Sequence, residues 1–251
     1  MPGTLEINYA IPYETGAVRL HEIGQRAEAP DGSVFRYAEM GAVQGVANKL
    51  YQGAAAVSNW QDTEHTVALA TGDTEISFFD DGTAFAVDEA AGGHIVVESA
   101  ADLGHIYRIK SNIATASNET IMQLMQGVSV EVAVPVATGN HLTFTKCQWK
   151  DIIISPAISA NSAAIAGIPR VVITKDTFGW LLTRGVGSVV VDTADVAVLV
   201  GNGVRAGQDE AGAVSVWDED GTAEEIDHMP IGHIEYTAAT SGFAQIYLQV
   251  E

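Results

Sequence analysis

Seven histidines are the first residues in this sequence that could bind a metal or transfer a proton. No two of them have the H-x-x-x-H or H-x-H spacing that brings two imidazoles to one side of a helix or strand, so no zinc motif is present. His228 and His233 come nearest to one, because a turn at Met229-Pro230 would bring them together. We interpret them as surface residues; the alternative is a two-histidine site completed by Asp227.

The acidic segment Asp218–Glu225 has the residue types of a calcium site. Calcium takes six to eight oxygen ligands, and an EF-hand loop supplies them at fixed alternate positions with a distant bidentate glutamate. Here the glycine comes too early and no flanking helices are predicted. We interpret the segment as a solvated turn, with a weak calcium site as the alternative.

Nucleophilic and phosphate-binding motifs are equally weak. Cys147 has Lys146 and Lys150 nearby, which would favour the thiolate, but no histidine or asparagine signature accompanies it. There is no G-x-S-x-G sequence, and the glycines of 201–207 do not fit G-x-G-x-x-G, because an extra residue precedes the last glycine. We expect no catalytic residue, no cofactor and no metal, and hence no enzymatic activity.

The charge balance restricts the partners. The 251 residues include 12 Lys and Arg against 32 Asp and Glu, a formal net charge of −20. Such a chain is repelled by nucleic-acid phosphates and by anionic lipids. No apolar run approaches the ~18 residues of a membrane-spanning helix, and the start MPGTLEINYAIPYE lacks the features of a signal peptide. We expect neither a nucleic-acid nor a membrane partner.

Short β-branched runs bounded by turn residues predict an all-β fold, a sandwich or barrel-like domain or domains of short antiparallel strands. Gly185 and Gly187 predict a hairpin between two of these runs. The predicted strands are Val34–Tyr37, Thr66–Ala70, Glu75–Phe79, Ala84–Val87, His94–Glu98, His105–Lys110, Val128–Val134, His141–Thr145, Asp151–Ile154, Val171–Thr174, Gly179–Thr183, Ser188–Val191, Asp195–Val200, Ala213–Trp217, Gly232–Tyr236 and Gln245–Val250.

Two segments have features of short helices. Ser117–Gly127 offers capping residues, apolar residues at helical spacing and a terminal glycine. Met40–Tyr51 also has apolar residues at helical spacing, but Gly41 and Gly45 disfavour a helix. For the second segment, a helix and a loop with one helical turn stay open.

The composition divides the chain into three parts. Residues 1–30 contain few core-forming runs and two prolines, Pro12 and Pro30, which predicts an extended N-terminal arm. Residues 31–160 form the predicted β-rich domain. Residues 161–251 form a second β-rich region or continue the same domain, since the stretch SPAISANSAAIAGIP could be a boundary or a long loop.

Three patches of the sequence, within about residues 16–190, resemble one protein family. Asp31–Ala42 reads D-G-x-x-F-R-Y-A-x-x-G-A and is followed by K-L-Y-Q at Lys49–Gln52. Gly104–Asn112 reads G-x-x-Y-x-I-x-x-N, and Gly167–Pro169 with Phe178–Gly185 resembles G-x-P followed by Y-G-W-x-x-T-x-G, with Phe178 in place of the tyrosine. These patches resemble tailed-bacteriophage proteins described as capsid decoration, or cement, proteins.

The resemblance implies a structural protein, made in the host cytoplasm, on the outer surface of a bacteriophage capsid. It would bind the major capsid protein, stabilise the head lattice by non-covalent contacts between capsomers, and form a homo-oligomer, with a trimer favoured. Four of the 12 cations lie within 31 residues, and we expect them to face an acidic or carbonyl-rich capsid patch; the alternative is that they are ordinary surface residues. They are Arg19, Arg26, Arg36 and Lys49.

Two other functions stay open. Tail-tube and head-completion proteins of phages are also β-rich, and self-assembly into rings would favour them. A carbohydrate-binding β module displayed on the virion would need exposed aromatic side chains, for which Trp60, Trp149 and Trp217 are the candidates.

Overall fold

The computed structural model describes residues 3–64, 67–79, 82, 84–99, 101–136, 140–157, 162–192, 198–207, 209–217, 230–237 and 242–251. The fold is nearly all β and is built mainly from sheets of antiparallel strands, which confirms the predicted all-β class. The strands are β1 (Leu5–Glu6), β2 (Arg26–Glu28), β3 (Val34–Glu39), β4 (Tyr51–Gln52), β5 (Thr63–Glu64), β6 (Glu75–Phe79), β7 (His94–Val97), β8 (Ile106–Asn112), β9 (Glu119–Leu124), β10 (His141–Thr145), β11 (Ile153–Ile154), β12 (Ile165–Pro169), β13 (Phe178–Val190), β14 (Gly203–Ala206), β15 (Val214–Val216), β16 (Gly232–Thr237) and β17 (Phe243–Gln249).

The chain forms two compact units, and one is inserted in the sequence of the other. The inserted unit is Ala55–Cys147, and the split unit combines Pro2–Ala54 with Gln148–Glu251. This division differs from the predicted segments 1–30, 31–160 and 161–251. The reason is strand pairing, because β3 from the N-terminal part pairs with β13 from the C-terminal part.

The inserted unit contains a six-stranded antiparallel sheet in the order β5-β10-β7-β8-β9-β6. Strands β8, β9 and β10 alternate buried and more exposed residues, so one face packs on a core and the other faces outward. Aromatic rings fill the core: Trp60 stacks on Phe85 at 4.1 Å, and Phe78 stacks on Phe144 at 4.4 Å between ring centroids. The four rings are at least nine-tenths buried and form one apolar cluster with the inward residues of the sheet.

The split unit is organised by β13, which pairs with β3 on one side and β17 on the other. The main strand order is β1-β2-β3-β13-β17-β16-β14-β15, and β12 also pairs with β13. The hairpin predicted at Gly185 and Gly187 is wrong, because β13 runs through both. Gly185 has a φ of 115° beside a bulge opposite β3, and a Cβ there would lie 2.7 Å from Ser33 Oγ.

The described part of the predicted N-terminal arm is folded onto the split unit. β1 pairs in parallel with β2, β2 pairs with β3, and Gly16 forms a bridge with Phe178. Pro12 fits the start of a 3₁₀ turn at Ile11–Tyr13, where its missing N–H is tolerated. Ala27 is completely buried, so this segment belongs to the core rather than extending from it.

The helix predicted at Ser117–Gly127 is wrong, because most of the segment forms β9. Ser117 and Asn118 both have positive φ, and Ala116 and Glu119 exchange two backbone hydrogen bonds of 2.9 Å, as in a two-residue hairpin turn. Among the described residues, the helical turns are the 3₁₀ segments Ile11–Tyr13 and Ser58–Trp60. Met40–Tyr51 is a loop that leads into β4, and it contains neither the helix nor the helical turn that its two interpretations predicted.

Several predicted strands lie in loops. Val128–Val134 alternates apolar and polar residues, yet it does not form a strand. The backbone N–H of Val130 donates to the oxygen of Asp73, and that of Val134 donates to the oxygen of Leu69. Ala84–Val87 and Val171–Thr174 also lack a paired strand. Burial of a few apolar side chains in a loop therefore imitates the strand pattern. Most of the predicted strand Asp195–Val200 lies outside the described residues, as does Thr66. The described part of the predicted strand Thr66–Ala70 is also a loop, with one isolated bridge from Leu69 to Val134.

We predict that Gly93→Ala destabilises the inserted unit, because a Cβ at Gly93 would collide with the backbone oxygen of Thr145 on β10. The expected loss in free energy of unfolding is about 1–3 kcal/mol, the usual cost of overpacking. Urea denaturation measures it. Gly3→Ala is the control, since no atom lies within 4 Å of its added Cβ; equal stability of the two variants would contradict the packing at Gly93.

Candidate interaction surface

The four cations predicted to contact a capsid each form an ion pair within this chain. The pairs are Arg19–Glu22 (3.6 Å), Arg26–Glu28 (2.9 Å), Lys49–Glu210 (2.8 Å) and Arg36–Glu251. Arg26 lies opposite Arg36 on the paired strands β2 and β3, and the charges of both lower the pKa of Glu251, so two of the four cations are neighbours. The more exposed pairs contribute little to stability, but every pair reduces the positive charge offered to a partner.

Arg36 connects several parts of the split unit through its guanidinium group. Its guanidinium lies 4.8 Å from the ring centroid of Trp149 and donates a hydrogen bond of 2.9 Å to the oxygen of Gly24. It also donates to the Glu251 carboxylate, which accepts a second hydrogen bond, of 2.6 Å, from Thr183 Oγ1. Burial alone would raise the pKa of Glu251, but the hydrogen bonds from Arg36 and Thr183 lower it below its ordinary value.

Two cations on β8, Arg108 and Lys110, form no ion pair with a carboxylate among the described residues. The outward positions of this strand are Ile106, Arg108 and Lys110, all exposed, whereas Tyr107 and Ile109 point into the core. We call Ile106, Arg108 and Lys110 the β8 stripe. Ile106 is 59% exposed. The stripe thus offers two cations and an apolar side chain on a strand near the centre of a sheet, with a shift of the pairing with β9 at Lys110.

The strands beside the β8 stripe form no ion pair with its cations among the described residues. On β7, His94 is opposite Arg108 and Val96 is opposite Ile106. Burial, followed by the charge of Arg108, lowers the pKa of His94 below its ordinary value. The outward carboxylates of β6 and β9 accept hydrogen bonds from uncharged donors and keep their negative charge: Gln123 donates to Glu75, and Ser77 Oγ donates to Glu119 at 2.7 Å.

A buried polar group anchors the start of β8. The Tyr107 hydroxyl donates a hydrogen bond of 2.6 Å to Asp102 Oδ2 and accepts one of 3.0 Å from the backbone N–H of Glu131. His105 Nδ1 lies 2.9 Å from Asp102 Oδ1. Burial, and then the bond to Asp102, raises the pKa of Tyr107 to about 12. The phenol therefore stays protonated at neutral pH and connects two loops to the strand.

The other residues singled out for chemistry lie apart. Cys147 is buried, and the ring of His233 stacks on Tyr247 at 5.5 Å between centroids. His228, Asp227 and the acidic segment Asp218–Glu225 lie outside the described residues. Within the described ranges, no group of three or more His, Cys, Asp or Glu side chains is arranged to hold a metal ion.

The tryptophans considered for sugar binding have different environments. Trp60 is 1% exposed and belongs to the core of the inserted unit, so it cannot stack on a sugar. Trp149 is partly buried and donates its indole N–H to the oxygen of Ala166 at 3.1 Å. Trp217 is 38% exposed. Of the three candidates, Trp217 offers the most ring surface.

Comparison with known proteins gives no relative. No family model, no curated protein and no solved structure matches the chain. In the part of the chain that the structure describes, no helix has the length and apolar character needed to cross a membrane.

The sequence did not direct attention to the β8 stripe, because the candidate cations were chosen in the segment that holds the most of them, residues 19–49. Arg108 and Lys110 are two residues apart in the segment I-Y-R-I-K, and alternation places them on the side opposite Tyr107 and Ile109. That signal was present in the sequence. What the sequence did not show is the pairing of the four N-terminal cations with carboxylates distant in sequence, such as Glu210 and Glu251.

We predict that Arg36→Met lowers the free energy of unfolding by about 2 kcal/mol, since charged hydrogen bonds to Glu251 and Gly24 are lost while the packing on Trp149 is kept. Arg19→Met, which removes an exposed pair, is expected to change it by less than about 0.5 kcal/mol.

Urea denaturation at several pH values tests the Arg36 prediction. The Glu251 carboxylate stabilises the fold above its ordinary pKa of 4.5 and loses this effect as pH falls through the lowered value. The difference in free energy of unfolding between the wild type and Arg36→Met therefore becomes smaller as the pH is lowered. Equal effects of Arg36→Met and Arg19→Met would show that Arg36 is an ordinary surface residue.

We predict that His94 titrates below its ordinary pKa of 6.5, and that Arg108→Gln moves this pKa partly back. The unfolded chain then binds a proton more readily than the folded one, so stability is lost as pH falls through the lowered pKa. Titration followed by NMR measures the pKa directly. A His94 pKa at or above 6.5 in the wild type would contradict the environment described for the stripe.

Proposed function

We propose that this protein is a structural virion protein that binds the outer surface of a bacteriophage capsid and stabilises the head lattice by non-covalent contacts between capsomers. The partner is the major capsid protein, and the protein acts as a homo-oligomer, with a trimer favoured. The observation that carries the proposal is the β8 stripe, an exposed combination of apolar and cationic side chains on an otherwise acidic chain.

The residues behind the family resemblance support this proposal by their burial. The three motifs fall on β3, β8 and β13, and their aromatic residues Phe35, Tyr107 and Trp180 are each at most 3% exposed. Such residues specify strands and packing rather than a reaction. The resemblance therefore concerns residues of the core. The exposed residues between the motif positions can vary to suit a particular partner surface.

The β8 stripe fits an acidic or carbonyl-rich surface. Arg108 offers a planar fork of N–H donors that matches carboxylates and carbonyls, and Lys110 adds a point charge. Burying the exposed part of Ile106, which is 59% exposed, adds roughly 1–2 kcal/mol. A standard interface buries about 1,600 Å² in total, and repetition over an oligomer adds avidity to weak single contacts.

The net charge also suits a protein present in many copies. At −20, the copies repel one another in solution, which favours solubility before assembly. The same charge weakens association with packaged or free DNA. Contacts must then come from local patches of the opposite sign, and the β8 stripe is such a patch.

The experiment uses purified heads that lack this protein and reconstitutes them with the wild type or charge-reversed variants. We predict that Arg108→Glu with Lys110→Glu lowers occupancy at least about tenfold, the effect of ~1.4 kcal/mol, since both cations lose their partners. Sedimentation followed by quantitative gel analysis measures bound protein. Lys175→Glu with Arg184→Glu is the matched control, because each double variant changes the net charge from −20 to −24.

Two results would contradict the proposal. One is equal occupancy of both double variants, which would remove the β8 stripe from the contact. The other is failure of the wild type to bind heads together with assembly of the purified protein into rings or tubes, which would favour a tail-tube or head-completion role.

A further inference from the structure

A groove on the split unit is lined mostly by apolar and uncharged polar residues. It has a volume of about 760 Å³, and β13 and β17 line it with Val186, Gly187, Ser188, Phe243, Ala244 and Gln245. Tyr13, Asn48, Arg170 and Tyr236 complete the lining. Arg170 is the one charged side chain among these lining residues, although acidic residues outnumber cations in the sequence by 32 to 12.

The groove exposes large apolar and aromatic side chains. Tyr13 is 55% exposed, Tyr236 is 64% exposed, and Phe243 and Val186 are 36% and 39% exposed. Single exposed apolar residues are normal on a protein surface, but four around one concave site make a patch. Tyrosine and arginine are the residues most enriched where binding energy concentrates in protein interfaces.

Arg170 is held in position by its neighbours. Its guanidinium carbon lies 4.9 Å from the ring centroid of Phe35 and 5.9 Å from that of Tyr13. One of its N–H groups donates to the oxygen of Val186 at 3.2 Å. No carboxylate among the described residues pairs with it, so most of the five donors of the guanidinium are available to a ligand. The cation is therefore pre-organised and not neutralised within the described structure.

We propose that this groove binds an extended segment of a partner protein in which a carboxylate is adjacent to an aromatic or branched aliphatic side chain. The carboxylate pairs with Arg170, and the apolar side chain packs on Tyr13, Phe243 and Tyr236. Charge complementarity favours an acidic occupant, because an unpaired guanidinium matches a carboxylate in both charge and shape. A single cation on an apolar floor disfavours a nucleic acid, whose binding requires several cations along the phosphate chain.

The rim of the groove also fits a peptide. Asn48 and Gln245 supply amide groups that can bind a peptide backbone, and Gln245 is fixed by a hydrogen bond of 3.0 Å to Glu235. Glu235 is a carboxylate beside the rim, so it weakens binding of an acidic segment. This inference concerns the split unit and does not depend on the function proposed from the β8 stripe of the inserted unit.

The test selects binders from a library of random seven-residue peptides with the full chain immobilised, and measures the affinity of the enriched peptides by calorimetry. We expect the enriched sequences to share Asp or Glu beside an aromatic or branched aliphatic residue. Arg170→Gln is expected to weaken their binding at least tenfold, and Arg170→Lys is expected to restore part of it. Tyr236→Ser, at a site exposed to solvent, is expected to weaken binding without loss of the fold, as checked by circular dichroism.

Lys175→Gln is the matched control, because it removes an exposed cation outside the groove. Selection of peptides without a shared carboxylate would overturn the proposal, and so would equal affinity for the wild type, Arg170→Gln and Tyr236→Ser. Binding of acidic oligosaccharides that depends on Arg170, without selection of any peptide, would assign the groove to a glycan and would also overturn it. Replacing Glu235 with Gln is expected to strengthen binding of the acidic peptides.

Discussion

Positive charge is scarce in this protein, and its placement constrains what the protein can bind. The sequence has 12 Lys and Arg against 32 Asp and Glu, and six of these cations form ion pairs with carboxylates among the described residues. The N-terminal cations are paired within the chain, and Arg36 is integrated into the contacts around Glu251. The cations left without a described carboxylate partner include those of the β8 stripe and Arg170 in the groove, and these sites have apolar neighbours as well.

Strand alternation explains how such surfaces arise beside a well-packed core. In β8, the side chains of Tyr107 and Ile109 are buried in the core, so the residues that alternate with them point outward. The bond from Tyr107 to the buried Asp102 holds the start of the strand, and the core aromatics hold its inner face. The stripe therefore sits on a paired strand rather than on a loop, which favours precise contact with a partner of fixed shape, and the pairing with β9 shifts at Lys110.

The all-β class and most strands could be predicted from the sequence, because β-branched runs between turn residues usually form short strands. Local patterns failed where tertiary contacts decide the outcome. Ser117–Gly127 has helix-capping residues but forms a tight turn followed by β9, and Val128–Val134 alternates like a strand but is a loop. The partners of Arg36 and Lys49 could not be predicted either, because Glu251 and Glu210 come close through the fold of the split unit.

The measurement that tests the central claim most directly is a reconstruction by electron cryomicroscopy of purified heads carrying this protein. The account predicts density for the protein on the outer surface of the head, at positions between capsomers, with the outward face of β8 against the major capsid protein. Heads without such density, or a bound protein whose β8 face points to solvent, would contradict it.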